Sequence, residues 1–293
     1  MKMTLPKFEY FAPESLEEAQ QLLLNKAEGA HLLAGGTDLL VKMNHGLLKP
    51  ASLIALKHIK GLEEITFDPK NGLKIGATAL LANVAAHPDI LEHYPAVAAA
   101  ARETANVQIR NMGTVAGNLC NAAPSADNAP TLLAMNAEVL ISGAKGERRL
   151  PLDQFFKGPG ANALDSDEIL SAILVPAPDS DSGVSYQHIS ARGKVDISAV
   201  CVGVMVRMEG DICRDVRIFL GAVAPVPMRA VKTEATVLNQ QLTEEIIEKA
   251  GIAALDESQP ITDVRSSADY RKKMVAVLTR RALTEARDRA LNS

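Results

Sequence analysis

Gln108-Ile109-Arg110-Asn111-Met112-Gly113-Thr114-Val115-Ala116-Gly117-Asn118-Leu119-Cys120-Asn121-Ala122-Ala123-Pro124-Ser125-Ala126-Asp127 is small and polar in a chain that is otherwise largely aliphatic. Two glycines and an alanine fall between Gly113 and Gly117. Small residues let backbone N–H groups come close to a ligand, and glycine tolerates positive φ. Threonine and asparagine add directional donors and acceptors. The stretch reads as a loop that grips a polar, anionic group with its backbone. A tight turn with a small-residue packing seam explains the composition equally well.

A second stretch, His31-Leu32-Leu33-Ala34-Gly35-Gly36-Thr37-Asp38-Leu39-Leu40, reads as a short buried strand, a double-glycine turn and a helix start, with Thr37 or Asp38 as cap. Such a junction suits an anion, because unpaired N–H groups and the helix dipole point the same way. Neither loop carries G-x-x-x-x-G-K or G-x-G-x-x-G, so the usual mononucleotide and dinucleotide fingerprints are absent. Two small-residue loops in one domain suit a ligand with two phosphates.

Taken together, Ala34–Leu40 and Gln108–Asp127 resemble the FAD-binding, or medium, subunit of molybdenum hydroxylases, the group of xanthine, carbon monoxide and nicotinate dehydrogenases. That family's second motif is written R-N-x-G-T-[VI]-G-G-N, and Ala116 stands in place of its first paired glycine. APVPMRA (224–230) and SADYRKKMVAVLTRRAL (267–283) resemble its C-terminal part, so the likeness spans nearly the whole chain. It implies an α+β protein. A vanillyl-alcohol-oxidase-type (PCMH-type) FAD-binding domain, 1–178, has two α/β lobes at about 1–57 and 58–178. A C-terminal domain of β-sheet plus helices follows at 179–293.

The resemblance also implies roles. Leu32, Leu33, Ala34, Gly35, Gly36, Thr37, Asp38 and Leu39 embrace the FAD diphosphate from one side. Thr114, Val115, Ala116, Gly117 and Asn118 do so from the other, and Thr104 adds a further flavin contact. Asp127 bonds the cofactor nearby, and Leu170 touches it through backbone or side chain. His188 occupies a position usually held by lysine near the flavin, where a neutral imidazole gives a weaker positive field. Ile197 falls near the isoalloxazine face. A turn-capping role for Asp127 and a plain strand role for His188 stay open. FAD is expected to be non-covalent. The molybdenum cofactor and two [2Fe–2S] clusters are expected on separate large and small subunits, in a dimer of heterotrimers. Electrons then pass from those clusters through FAD to NAD, a quinone or ferredoxin. The other enzyme reading is a self-sufficient FAD-dependent oxidoreductase of the vanillyl-alcohol-oxidase type. Such enzymes often attach FAD through His or Cys, for which the loops offer His31 and Cys120. A scaffold without cofactor is a third reading.

Composition agrees. A chain of 293 residues suggests two domains, and 47% hydrophobic residues supply their cores. A net charge of −4 without basic runs argues against nucleic acid. No signal peptide and no bilayer-spanning apolar run is evident, so a cytoplasmic location is expected. Cys120, Cys201 and Cys213 are too few and too scattered for an iron–sulfur cluster, which normally takes four ligands. No histidine pairing suggests a metal, and no G-x-S-x-G suggests a hydrolase. No residue stands out as a general acid or base, as befits a protein whose cofactor carries the chemistry.

Along the chain, Phe8–Phe11 reads as a strand ended by Pro13, and Ser15 with Glu18 has capping-box spacing for a helix through Leu16, Ala19, Leu22 and Leu23. Asp68–Gly72 marks a hairpin. Helices are expected at 78–86, stopping at Pro88, at 94–105, and from Pro130. Strands are expected at 53–56, 62–67, 73–75, 137–141, 148–150 and 169–175. Pro176–Gly183 is the linker candidate. Beyond it come a strand at 184–190, a hairpin of 196–207 with 212–223, and helices at 243–255 and 267–291. The charged side of the last helix reads as a solvated face.

Overall fold

The computed structural model describes residues 5–26, 29–192 and 197–292. The first lobe runs β1 (Glu9–Phe11), α1 (Leu16–Asn25), β2 (Ala30–Leu33), α2 (Leu39–Asn44) and β3 (Ser52–Ala55). α1 starts where the capping box places it. Ser15 Oγ accepts from the Glu18 N–H (3.1 Å), and Glu18 Oε2 accepts from the Glu14 N–H (2.9 Å). Ala19 and Leu23 then pack on Ile54 of β3. The sheet is parallel, in the order β1-β3-β2, since each return passes through other chain. β2 is an edge strand, and all four of its residues are half-buried.

The second lobe contains β4 (Ile65–Asp68), β5 (Gly72–Gly76), α3 (Leu81–Ala86), α4 (Pro88–His93), α5 (Pro95–Glu103), α6 (Val107–Arg110), α7 (Val115–Cys120), α8 (Asn128–Ala134), β6 (Glu138–Gly143), β7 (Gly146–Pro151), β8 (Phe156–Gly158), β9 (Ala161–Asn162) and β10 (Ile169–Val175). Its five-stranded sheet is antiparallel, in the order β4-β5-β10-β6-β7. The Asp68 carboxylate accepts from the Lys70 and Asn71 N–H groups (2.9 and 2.7 Å), which forms the expected hairpin turn. β10 joins the two lobes. Ile169 enters the core of the first lobe, while Leu170 and Ile173 enter that of the second.

The remaining chain forms β11 (Ser182–Ser190), β12 (Ser198–Glu209), β13 (Ile212–Gly221), β14 (Met228–Arg229), α9 (Val231–Val237), α10 (Glu244–Glu257) and α11 (Ala268–Leu291). The four strands pair antiparallel in sequence order. Alternation gives β12 two buried faces. Val200, Val202, Val204 and Val206 meet α10 and α11. Gly203 and Met205 turn toward the second lobe, where Met205 joins its core and Gly203 lies on the backbone of Pro130.

Several expectations need correction. The 108–127 stretch is not one loop, since it holds α6 and α7. Pro88 does not only stop a helix. It opens α4, because its missing N–H is harmless in a first turn. Pro130 likewise sits inside the first turn of α8, which begins at Asn128. Neither Thr37 nor Asp38 caps α2 through its side chain. The expected linker is shorter, as Ser182 and Gly183 already belong to β11. Asp196, the expected start of the first hairpin strand, lies outside the described residues. The charged side of α11 is not wholly solvated. Arg271 is buried and donates to Ala199 O (3.2 Å), Ala222 O (2.8 Å) and Asp263 Oδ1 (2.7 Å).

A Cβ on Gly203 would stand 2.5 Å from Pro130 O and 2.6 Å from Thr131 N, both backbone atoms. Gly203→Ala is therefore expected to lower stability by about 1–3 kcal/mol through overpacking, read as a lower midpoint in urea unfolding.

Candidate cofactor site

The two small-residue loops meet. Gly35 follows β2 and lies on the backbone of Met112 and Gly113. A side chain there would overlap the Met112 carbonyl and stand 2.7 Å from Gly113 Cα. Gly36 has φ +71°, which carries the chain from strand into α2. The Gly113 carbonyl accepts from the Leu81 N–H (2.9 Å), fixing the second loop to α3. Lys42 Nζ of α2 donates to Asn121 Oδ1 (2.9 Å), a second tie between the lobes.

Among the described residues, none of the backbone N–H groups from Gly35 to Leu39 is donated to a protein acceptor. In the second loop Thr114 Oγ1 accepts from the Gly117 N–H (2.9 Å) and caps α7, while the Ala116 N–H is not donated. The Ala116 methyl group lies in the core of the second lobe, so the alanine leaves the loop's open side unobstructed. Half-buried backbone donors gathered where two lobes touch form a cradle for anionic oxygens. The leucines of β2 add a half-buried apolar flank. The residues fit a diphosphate-bearing cofactor.

Thr104 closes α5 and is buried. Its Oγ1 donates to Ala100 O (2.8 Å) and accepts from Asn128 Nδ2 (3.1 Å), which also donates to Asn118 Oδ1 (3.1 Å). Thr104 and Asn118, expected on separate stretches, are thus joined by Asn128. The buried Asn128 Oδ1 has no partner among the described residues, which is unusual for a buried amide oxygen. Asn128 was not a sequence candidate. Its signal was an amide residue opening a helix whose other residues, Thr131 apart, are apolar.

Asp127 precedes α8 and is 7% exposed. It stands at the N-cap position of that helix, but its side chain makes no capping hydrogen bond. Its Oδ1 accepts from Tyr186 Oη (2.8 Å) and Ser198 Oγ (2.5 Å). Burial raises the Asp127 carboxyl above the usual carboxylate range, and the Ser198 and Tyr186 hydrogen bonds oppose that rise. Burial likewise pushes the Tyr186 hydroxyl well up, which keeps it a donor. His188 Nδ1 lies 3.2 Å from Ser198 Oγ and Nε2 lies 3.3 Å from Glu103 Oε2, with the imidazole stacked on the Tyr186 ring. His188 and Asp127 are therefore brought together through Ser198. Tyr186, Ser198 and Glu103 were not sequence candidates; Tyr186 could have been found by its i, i+2 spacing from His188 on one strand face. The Leu170 side chain is buried in the second-lobe core, opposite Ile141. Ile197 stands just before β12 and is 43% exposed.

Comparison with known proteins agrees with this geometry. The family described as the FAD binding domain in molybdopterin dehydrogenase matches residues 6–178, and the CO dehydrogenase flavoprotein C-terminal domain matches residues 185–286. A putative xanthine dehydrogenase FAD-binding subunit of Escherichia coli is 31% identical over 94% of this chain and 95% of its own length. The carbon monoxide dehydrogenase medium chain of Hydrogenophaga pseudoflava is 32% identical over 97% and 98%. A solved carbon monoxide dehydrogenase from that organism superposes with a TM-score of 0.94 at 33% identity, covering 98% of this chain and 99% of that one. The chain belongs to the FAD-binding, medium subunits of the molybdopterin dehydrogenases, an oxidoreductase family. Among the described residues, no helix is long and apolar enough to cross a membrane.

Two outcomes follow from the site. Gly35→Ala separates the two loops and is expected to weaken FAD binding roughly tenfold or more, measured by flavin fluorescence titration. For Asp127, the folded chain binds the carboxyl proton more tightly than the unfolded chain, whose value is about 3.9. The stability this group contributes is full below that value and lost as pH rises through the raised folded value. Asp127→Asn keeps an acceptor oxygen without the charge. Denaturant titrations of the FAD-free chain should show its stability relative to the parent rising as the pH is raised above about 4, the unfolded value.

Proposed function

We propose that the chain is the FAD-carrying electron-transfer subunit of a multi-subunit molybdenum hydroxylase. It would take electrons from [2Fe–2S] clusters on a small partner chain and pass them to an external acceptor such as NAD, a quinone or ferredoxin. A large partner would hold the molybdenum cofactor, in a dimer of heterotrimers located in the cytoplasm. The observation that carries the reading is the set of undonated N–H groups from Gly35 to Leu39, facing the capped start of α7 where the lobes touch. The full-length likeness to medium chains of multi-subunit dehydrogenases supports it. The division at about residue 178 assigns cofactor binding to the first part of the chain.

FAD, when bound, supplies one- and two-electron chemistry. Leu32 to Leu39 and Thr114 to Asn118 would line its diphosphate, with the undonated N–H groups of Gly35 to Leu39 and of Ala116 as donors, and Thr104 would add a further flavin contact. Asp127, Leu170, His188 and Ile197 contact its remainder. Binding is non-covalent. The Cys120 thiol, on a half-buried residue, is pushed up to about 12 by its surroundings and so stays protonated, the unreactive form.

The test is the absorption spectrum of the purified chain before and after adding FAD. Flavin bands near one equivalent, released by denaturant as FAD, are expected. Purification from the native host should bring down a larger chain and an iron–sulfur chain. A colourless chain that ignores FAD, or one that copurifies with neither, overturns the reading.

A further inference from the structure

Five side chains form a continuous path from the surface to the buried carboxyl beside the cofactor loop. Glu103 ends α5, with 31% of its side chain exposed. Its Oε2 lies 3.3 Å from His188 Nε2. His188 Nδ1 lies 3.2 Å from Ser198 Oγ, and Ser198 Oγ lies 2.5 Å from Asp127 Oδ1. Tyr186 closes the far end, donating to the same Oδ1.

The proton inventory fixes the directions. A serine hydroxyl has one proton, and Ser198 donates it to Asp127. His188 Nδ1 must then be the donor to Ser198, which leaves Nε2 to exchange a proton with Glu103. This assignment follows from the network rather than from observed hydrogens. An imidazole accepts on one nitrogen while donating from the other, so a single side chain joins Glu103 to Ser198.

We infer that Glu103, His188 and Ser198 relay a proton from solvent to Asp127 when the neighbouring flavin gains electrons. The inference rests on the proposed function, which puts FAD beside Asp127. The step balances without further reagents. A hydronium ion of the solvent protonates the Glu103 carboxylate and is left as water; that proton then passes to His188 Nε2, the Nδ1 proton passes to Ser198 Oγ, and the Ser198 proton passes to the ionised Asp127 Oδ1. Glu103 ends as the carboxylate again, and the imidazole carries its proton on Nε2 until the path runs in reverse. Only O–H and N–H bonds change along the path. The electrons come from an external donor, an electrode in the test below. The driving force is electrostatic, since a reduced, more negative neighbour favours the protonated form of a buried carboxyl. The groups facing Asp127 are Tyr186 and His188 of β11, Ser198 and Cys201 of β12, and Glu103 of α5. Among them Glu103 raises the Asp127 carboxyl, while Ser198, Tyr186 and His188 lower it. Ser198 acts through Asp127 and is a positioning residue.

The experiment is reduced-minus-oxidised infrared difference spectroscopy of the FAD-loaded chain in an electrochemical cell with a soluble mediator dye. A carboxylic-acid C=O band is expected to grow on reduction and to vanish in Asp127→Asn. In Ser198→Ala and Glu103→Gln the band should grow roughly 100-fold more slowly, while flavin content and its absorption spectrum stay those of the parent. Glu103→Gln alters a partly exposed group, so it keeps the test valid should Ser198→Ala fold poorly. A parent chain without the band, or variants in which it grows at the parental rate, overturns the relay alone. A chain that takes up no FAD overturns the functional reading and the relay with it.

Discussion

The close approach of Gly35 to the backbone of Met112 and Gly113 is the constraint on which the rest of the site depends. A parallel three-stranded lobe and an antiparallel five-stranded lobe have no common sheet, so their loops must make the junction. Any Cβ at Gly35 would hold the loops apart and open the cradle. Beneath the loops, β10 sends adjacent side chains into opposite cores, Ile169 to one lobe and Leu170 to the other. The pleat therefore couples two hydrophobic cores at one peptide bond, and the loops inherit a fixed spacing from that coupling.

The C-terminal sheet sets the far side of the site. Gly203 lets β12 rest on the backbone of α8 at Pro130, three residues after Asp127. The Ala222 N–H donates to Pro124 O (2.7 Å), and the Ala222 carbonyl accepts from Arg271 of α11. The segment from Pro124 to Asp127 is thus held by the sheet and by the long helix behind it, not only by its own domain. A buried guanidinium that removes three acceptors from water-facing positions explains why one charge of α11 faces inward.

What the sequence disclosed was local. The Ser15–Glu18 cap and the Asp68–Gly72 turn depend on residues a few positions apart and formed as read, and the strand–Gly35–Gly36–helix order formed too, though without the expected Thr37 or Asp38 side-chain cap. The α+β architecture was equally legible from the resemblance, as was the family. Pro88 and Pro130 were misread because proline is both a stop and a first-turn residue, and only the following residues decide between these roles. The partners of Asp127 lie 59 and 71 positions away, so no spacing rule reaches them. The burial of Arg271 depends on two carbonyls 72 and 49 residues distant and was hidden for the same reason. Leu170 shows the opposite limit: its strand was legible, while the inward direction of its side chain was fixed by pairing with Ile141.

The chain concentrates ionisable chemistry in one place. Burial pushes the three thiols up and keeps them protonated, most strongly at Cys201. Tyr94 is held up to about 12 by burial as well. These groups are inert near neutral pH because their charged forms would be poorly solvated. Asp127 is also raised by burial, yet it alone among them has two hydroxyl donors and a histidine within one further hydrogen bond. A carboxyl kept buried at a cost to stability, with its proton connected to the surface, is a group whose charge the protein can change. That it sits where the cofactor loop meets the second sheet gives the junction a role that packing alone does not require.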